Sequence, residues 1–453
     1  MIGPSRAVVA VVLAALLTGG TAIALGLRSP AEPSGCPSLS SGAGSARSPV
    51  QHVFFLIKEN HAFENYFGDR PGVLGYPPQG VFPVAFGSSS TVSPFELHAS
   101  GTPDLPHSNA AEVVDEDAGR LDDFVAEANA AGALAPEDAV GFYAPSTIAP
   151  YTAYANHYAL ADRFFTGVLG PTLPNRVFDL SGTSGGWTSG SPPPSGTFDF
   201  PTILDQLSAN GIAWDYDYAG IPVNLAPDLV PSIAVNPCES ARVVPVTELP
   251  GQLNSTDAPA VTFLDPSNDP TVSEHPDDNV TVGAEWSATV IDDILGSPIG
   301  PSSVIFVFFD EGGGFWDPVL PPVTTSGGDG FRVPLLVISP WTTPGTLVNT
   351  TLDPAALLRF VDQNWGLPFL NPRVASAPSL EPFFDYGAPR TSPLLIPSNV
   401  SLGAGTGAPD DDASPLPTGT AGVPPGEGPA SLYLTRWPSA NPWRDAGSPS
   451  TTP

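Results

Sequence analysis

The sequence predicts an α/β protein, a three-layer α/β/α sandwich with a mainly parallel central sheet. Four short runs, His52–Ile57, Ala260–Leu264, Val304–Phe309 and Pro334–Ser339, are apolar almost throughout and rich in β-branched and aromatic residues. That is the composition of strands buried on both faces. Around them lie Arg120–Ala131, Tyr151–Phe165, Phe200–Asn210, Gly283–Leu295 and Ala355–Trp365, where apolar residues recur at three- and four-residue spacing, as on one face of a helix. Short apolar strands separated by such helices build a sheet covered on both sides.

Taken in order, the chain opens with Arg6 and then Ala7–Leu27, 21 residues without a charge. The run suits a signal peptide, with Ala22-Ile23-Ala24 as small residues for cleavage, and equally an uncleaved anchor. Either way the following domain is expected outside the cytoplasm, with membrane association through residues 1–27 as one form of it. Residues 28–47, rich in Ser, Pro, Ala and Gly, read as a flexible linker, 48–398 as the catalytic domain, and 399–453 as a low-complexity tail. Gly185–Thr197 and Ile221–Asn236 read as surface insertions. Cys36 and Cys238 are the only cysteines and a disulfide between them is open. Asn254, Asn279, Asn349 and Asn399 each begin a glycosylation acceptor triplet, which agrees with export.

The 46 acids and 15 bases give a formal net charge of -31, and Lys58 is the only lysine. Such a surface repels nucleic acid and anionic membranes, so no polyanion partner is expected.

Function is suggested by the residues just beyond the strands. After His52–Ile57 come Lys58, Glu59, Asn60 and His61; after Ala260–Leu264 comes Asp265, then Glu274 and His275; after Val304–Phe309 come Asp310, Glu311 and three glycines. Ligands in open α/β sheets bind beyond the carboxyl ends of the strands, and acids crowded there call for a divalent cation. A strand ending in solvated surface acids is the plain alternative for any one of these clusters. His107, in Asp104-Leu105-Pro106-His107, and His275 lie in polar loops where an imidazole can donate a proton to a leaving oxygen or hydrogen-bond a phosphoryl group. His52 and His157 read as core or capping histidines, His61 is ambiguous, and nothing around His98 commends it. Thr172, in Gly170-Pro171-Thr172-Leu173-Pro174-Asn175-Arg176, is a hydroxyl braced by two prolines before a helix, which serves as an N-cap, a nucleophile or a metal ligand.

HVFFLIKENHAFENYFGDRPGV (52–73), ALADRFFTGVLGPTLPNR (159–176), SEHPDDNVTVGAEW (273–286), FFDEGGGFWDPVLPP (308–322) and GFRVPLLVISPW (330–341) together resemble, in order, the bacterial phosphoesterase family of non-specific phospholipases C and related acid phosphatases. That family belongs to the alkaline-phosphatase-like superfamily. The resemblance implies Thr172 as the nucleophile of a covalent phospho-enzyme. It implies Glu59, Asn60, Asp310 and Glu311, with Thr172, as holders of a divalent metal ion, and His107 and His275 as contacts to phosphate or leaving group. Asn175 and Arg176 would brace the loop.

The sequence departs from the family at Pro318, where a histidine is usual, at Ser273 for an aspartate, at His61 for an arginine and at Asn65 for an aspartate. Asp317 is expected to compensate in part as a ligand. The implied substrate is a small phosphoester or a phospholipid head group. A catalytically weakened surface or binding protein on the same fold is the alternative that Pro318 motivates.

Overall fold

In a computed structural model the described residues run from 33 to 403, apart from 34, 43–44, 76–79, 195–196, 223–224, 257 and 325–326. The apolar N-terminal run and nearly all of the expected tail lie outside them. Among the described residues no helix is long and apolar enough to cross a membrane.

All four apolar runs are strands of one eight-stranded sheet. In chain order its strands are β1 (His52–Lys58), β2 (Ala159–Ala161), β3 (Trp214–Gly220), β4 (Val243–Pro245), β5 (Val261–Asn268), β6 (Ser303–Phe309), β7 (Leu335–Ile338) and β8 (Thr346–Val348). Across the sheet the order is β8-β2-β7-β6-β1-β5-β3-β4. Every neighbouring pair is parallel except the two that involve β7, which runs against the rest. The carboxyl ends of β1, β5 and β6 therefore share one edge, and β7 begins at it.

Helices cover both faces. Phe306 and Phe309, three residues apart, point to opposite sides of β6. Phe306 meets Phe360 of the helix Pro354–Trp365, and Phe309 meets Tyr151 of the helix Ala149–His157. The architecture is the three-layer α/β/α sandwich that the sequence predicts. Five further helices place the site: Asn109–Glu116 (α1), Phe124–Ala131 (α2), Thr172–Ser181 (α3), Ile203–Ala209 (α4) and Val280–Gly296 (α5).

Several expectations are corrected. The helix expected over Tyr151–Phe165 stops at His157, and Ala159–Ala161 becomes β2, because its backbone pairs with β7 on one side and β8 on the other. The helix expected from Arg120 starts at Phe124, since Asp117, Ala118 and Leu121 adopt left-handed backbone. Strand β3 was hidden by its aspartates, which break the apolar run; Asp217 is nevertheless buried. The segment 221–236 is only partly a surface insertion, because Leu225, Ala226, Val230 and Ile233 enter the core. The second half of the expected linker is tied down. Cys36 forms a disulfide with Cys238, and the Ser40 backbone bonds to Gly211 and Ala213. At the other end Trp286 and Thr289 of α5 bond to the carbonyls of Leu402 and Val400, so packing continues past residue 398.

Candidate active site

In the parallel register Lys58 stands beside Phe309. Glu59 and Asp310 therefore leave adjacent strands side by side, and Asp265, still within β5 and one residue past the Leu56–Leu264 pair, lies on the other flank of β1. Three carboxylates emerge within one sheet edge, and one cation lies among them. Arg176, a turn into α3, pairs with Asp310 at 3.1 Å, with Asp265 at 3.2 Å, and closely with Glu59. Asp179, the next inward position of the same helix, is also buried, and burial followed by the neighbouring carboxylates Asp310, Asp265 and Glu59 drives its carboxyl far up, against the pull of Arg176. Glu59 is pushed up to about 8, first by burial and then by Asp310, with Arg176 acting the other way. The group is short of positive charge. Arg176 is thus more than the loop brace foreseen; Asn175 is that brace, bonding Val168 at both N–H and C=O and the carbonyls of Gly170 and Pro171.

Asn60 follows at φ 55, a left-handed backbone that asparagine tolerates. Its N–H donates to Asp310 at 3.3 Å. Its side chain is fully buried, and neither polar atom has a hydrogen-bond partner among the described residues. A Cβ on Gly313 would come within 2.4 Å of the Asn60 carbonyl, so the triple glycine lets the Asp310 turn close on this loop.

Thr172 is the first residue of α3, with Pro171 at the capping position, and its hydroxyl caps nothing. It reaches across 139 residues of sequence and donates to Glu311 Oε1 at 2.8 Å. The helix amino terminus beside it favours negative charge. Thr172 is half-buried, and its chain neighbour Pro171 lines an open cleft of about 460 Å³ together with Asp104, Leu105, His107, Ala133 and Gly190.

His107 Nε2 lies 3.8 Å from Glu311 Oε1, and the His107 and His275 ring centres are 6.1 Å apart. Each ring donates through Nδ1 to a backbone carbonyl at 2.6 Å, Leu105 for one and Pro276 for the other. A carbonyl only accepts, so Nδ1 carries a hydrogen in each ring, and Nε2 is the position at which a second proton is taken up or given in the imidazolium form. Asp104 approaches His107 Nδ1 at 3.5 Å. Asp104, His107 and His275 place one ligand atom each within 4.8 Å of one another, a second grouping with metal-ligating chemistry at the rim.

The structure thus gathers Glu59, Asn60, Asp310, Glu311, Thr172, His107 and His275 at one edge of the sheet. Sequence reasoning passed over Asp104, Asp179 and Glu112. Glu112 lies one turn into α1; burial and then Glu311 push its carboxyl well up, while His107 pulls the other way. The signals were there: Asp104 stands three residues before His107, and Asp179 stands two turns beyond Thr172 on the buried face of α3. Asp317 is a correction. It is sealed from solvent and spent on Arg332, at 3.0 and 2.9 Å from its two oxygens, and compensates for nothing at the site. His61 is structural, held between Asn65 Oδ1 at 2.7 Å and the Glu274 carbonyl at 2.8 Å, and burial pushes it down to about 3. Ser273 caps the His275 loop, accepting from its N–H at 3.1 Å. His52 bonds the Pro259 carbonyl in the core, His157 ends its helix against Tyr158, and His98 is exposed.

The chemistry of the donors is what a metal would ask for, although among the described residues the tightest metal-ligating grouping at the site is Asp104, His107 and His275. The donors Glu59, Asn60, Thr172, Asp310 and Glu311 are all hard oxygens, the chemistry of a divalent cation, and the buried Asn60 amide lacks any protein partner among the described residues.

The chain is similar to several known proteins. Non-hemolytic phospholipase C of Pseudomonas aeruginosa is 26% identical over 426 residues, covering 76% of this chain and 58% of that protein. Non-specific phospholipase C6 of Arabidopsis thaliana is 26% identical over 346 residues, covering 70% of this chain and 66% of that protein. Phospholipase C A of Mycobacterium tuberculosis is 25% identical, and 89% of each chain is covered. The chain therefore spans about two thirds or less of the length of the first two. Among solved structures, a protein in the alkaline phosphatase superfamily from Vibrio parahaemolyticus superposes with a TM-score of 0.37 at 11% identity, over 69% of this chain and 77% of that one. The model of the Phosphoesterase family matches residues 50–368, so the chain belongs to the phosphoesterase family.

Proposed function

We propose that the protein is an exported, metal-dependent phosphoesterase of the phospholipase C or acid phosphatase type that works through a phospho-threonine. The observation that carries the reading is the 2.8 Å hydrogen bond from Thr172 to Glu311 at the amino terminus of α3. In the first step Thr172 Oγ attacks phosphorus and its proton passes to Glu311. The new P–O bond forms as the bond to the leaving oxygen breaks, and that oxygen takes a proton from Nε2 of His107 or His275. In the second step the same imidazole takes a proton from water, water attacks the phospho-threonine, and Thr172 leaves with the proton from Glu311. A divalent cation held by Glu59, Asn60, Asp310 and Glu311, with Thr172, supplies positive charge against the transferring phosphoryl group and favours the ionised hydroxyl. The substrate is a small phosphoester or a phospholipid head group. The apolar run before residue 28 and the Cys36–Cys238 disulfide support a location outside the cytoplasm, secreted or at the cell surface.

The test is acid quench during turnover of p-nitrophenyl phosphate and p-nitrophenyl phosphorylcholine with divalent metal present. Wild type is expected to yield phosphothreonine at position 172. Histidine general acids are worth roughly 10²–10⁴-fold, so His107→Ala and His275→Ala retain turnover and Thr172→Val falls below both. A Thr172→Val protein that keeps more than about a tenth of wild-type turnover excludes the covalent route, since an essential nucleophile costs orders of magnitude more.

A further inference from the structure

The residue before His275 is held more tightly than any chemistry proposed so far requires. Glu274 has φ 74, a backbone region that non-glycine residues rarely adopt. Its Oε1 lies 3.1 Å from Lys58 Nζ and accepts from the Tyr151 hydroxyl at 2.5 Å, and its Oε2 accepts from the Tyr66 hydroxyl at 2.6 Å. Its backbone carbonyl faces His61 Nε2 at 2.8 Å. Gly283, in the first turn of α5, leaves the room for it: a Cβ there would come within 2.1 Å of Glu274 Cγ. Tyr151 passes the chain on to Ser287 at 2.8 Å, and Lys58 also donates to the Val272 carbonyl. All of these side chains are buried.

Lys58 is the one lysine of 453 residues, and it stands where β1 would suit an apolar side chain. A buried ion pair is rarely the most stable solution, since well-packed apolar residues of the same volume often do as well or better. A network whose acceptors are all used does, however, define a single geometry. We propose that Lys58 and Glu274 are a buried positioning pair that fixes His275 against the strand end carrying Glu59 and Asn60. The pair ties the loop of the histidine to the end of β1, so the two halves of the site keep one spacing. The inference rests on the mechanism proposed above, in which an imidazole serves the leaving oxygen.

The test is Lys58→Met/Glu274→Gln, which removes both charges at nearly constant volume, together with Tyr151→Phe, which removes one hydrogen bond to Glu274 and keeps the ring. Positioning predicts that kcat on the chromogenic esters falls about tenfold or more in the double variant, with KM within about twofold, because small misplacements of an acid cost that much. Tyr151→Phe is expected to show a smaller loss of the same kind and decides the matter if the double variant does not fold. In a His275→Ala background neither change should cost anything further, whereas a structural role would multiply the losses. Multiplied losses, or a folded double variant with wild-type kcat, overturn the inference. If wild type turns over neither ester, the proposed function fails, and the pair is judged without substrate. With ¹³C-labelled histidine at fixed pH, the His275 signal, identified by its absence in His275→Ala, should shift and broaden in both variants while that of exposed His98 stays. An unmoved His275 signal then overturns the pair.

Discussion

Two buried arginines, Arg176 and Arg332, each face three carboxylates, and the contrast between them separates architecture from site. Arg332 is wholly sealed and its donors are all used. Nε binds Asp317, one terminal nitrogen binds Asp162 and its carbonyl, and the other binds Glu64 and the Leu74 carbonyl, while the guanidinium lies 4.2 Å from the Phe63 ring. Two of its partners are backbone, so it stitches loops together. Arg176 binds Asp310 through Nε and Glu59 through one terminal nitrogen, but its other terminal nitrogen faces Asp265 at 3.2 Å without hydrogen-bond alignment. A fourth acid, Asp179, stands beside it, and Glu311 and Glu112 lie beyond. A saturated arginine closes a structure. An arginine outnumbered by acids leaves a place for more positive charge.

The largest effect that this contrast predicts is on stability. Arg332→Met strands Glu64, Asp162 and Asp317 without a cation in a sealed site. Removing one partner of a buried ion cluster costs about 3–5 kcal/mol. Thermal unfolding should show the loss, and millimolar Mg²⁺ or Ca²⁺ should not restore it. A variant that unfolds within a degree or two of wild type would break the comparison.

Arg176→Met sharpens it. The acids here are as buried as those around Arg332. One terminal nitrogen of Arg176 is already out of hydrogen-bond alignment, however, and the Glu59 carboxyl is already pushed up to about 8, first by burial. Less is lost with the guanidinium, so the cost should be smaller, about 1–3 kcal/mol by the cost of an unmet buried polar group. A divalent cation that binds only the folded state adds about 2.7 kcal/mol at a hundredfold excess over its Kd. Arg176→Met should thus recover most of its stability with added Mg²⁺ or Ca²⁺, and chelation should reverse the gain. Equal rescue of both variants, or of neither, would mean that the two arginines do the same work.

The same contrast explains what the sequence disclosed. The strands β1, β5, β6 and β7 were legible because burial on both faces demands an unbroken apolar run, and that demand needs no knowledge of partners. Strand β3 was not, because Tyr216 and Asp217 take their places through Asp265 and Gln252 from elsewhere in the chain. At the site, Glu59, Asn60, Asp310 and Glu311 could be read because they stand directly after strands. The part of Asp317 was misread for a matching reason: a motif places a residue along the chain but does not say which cation reaches it first. Arg332, fifteen residues on, enters at the start of β7, the strand that runs against the others. Asp104 and Glu112 escaped because a polar loop and a helix face offer no period that marks an inward carboxylate.

The smallest effect at mildly acidic pH concerns a buried acid that no arginine serves. Asp115, on the buried side of α1, is only 1% exposed, and burial followed by the charges of Glu127 and Asp123 pushes its carboxyl up to about 9. In the unfolded chain it titrates near its ordinary value of about 3.9. Between those limits the folded state holds a proton that the unfolded state has lost, so unfolding is favoured more as pH rises. The stability that the protonated group contributes is complete below about pH 4 and is lost progressively towards pH 9, with an upper limit of about 1.4 kcal/mol per pH unit. Asp115→Asn stays neutral at every pH and keeps the shape of the side chain, so it should remove this slope. Its unfolding temperature should match that of wild type near pH 4 and exceed it by a growing margin up to pH 8–9, whereas Arg332→Met remains below wild type at mildly acidic and neutral pH. A margin that shrinks as pH rises would show that Asp115 is ionised in the folded protein and has a cationic partner after all.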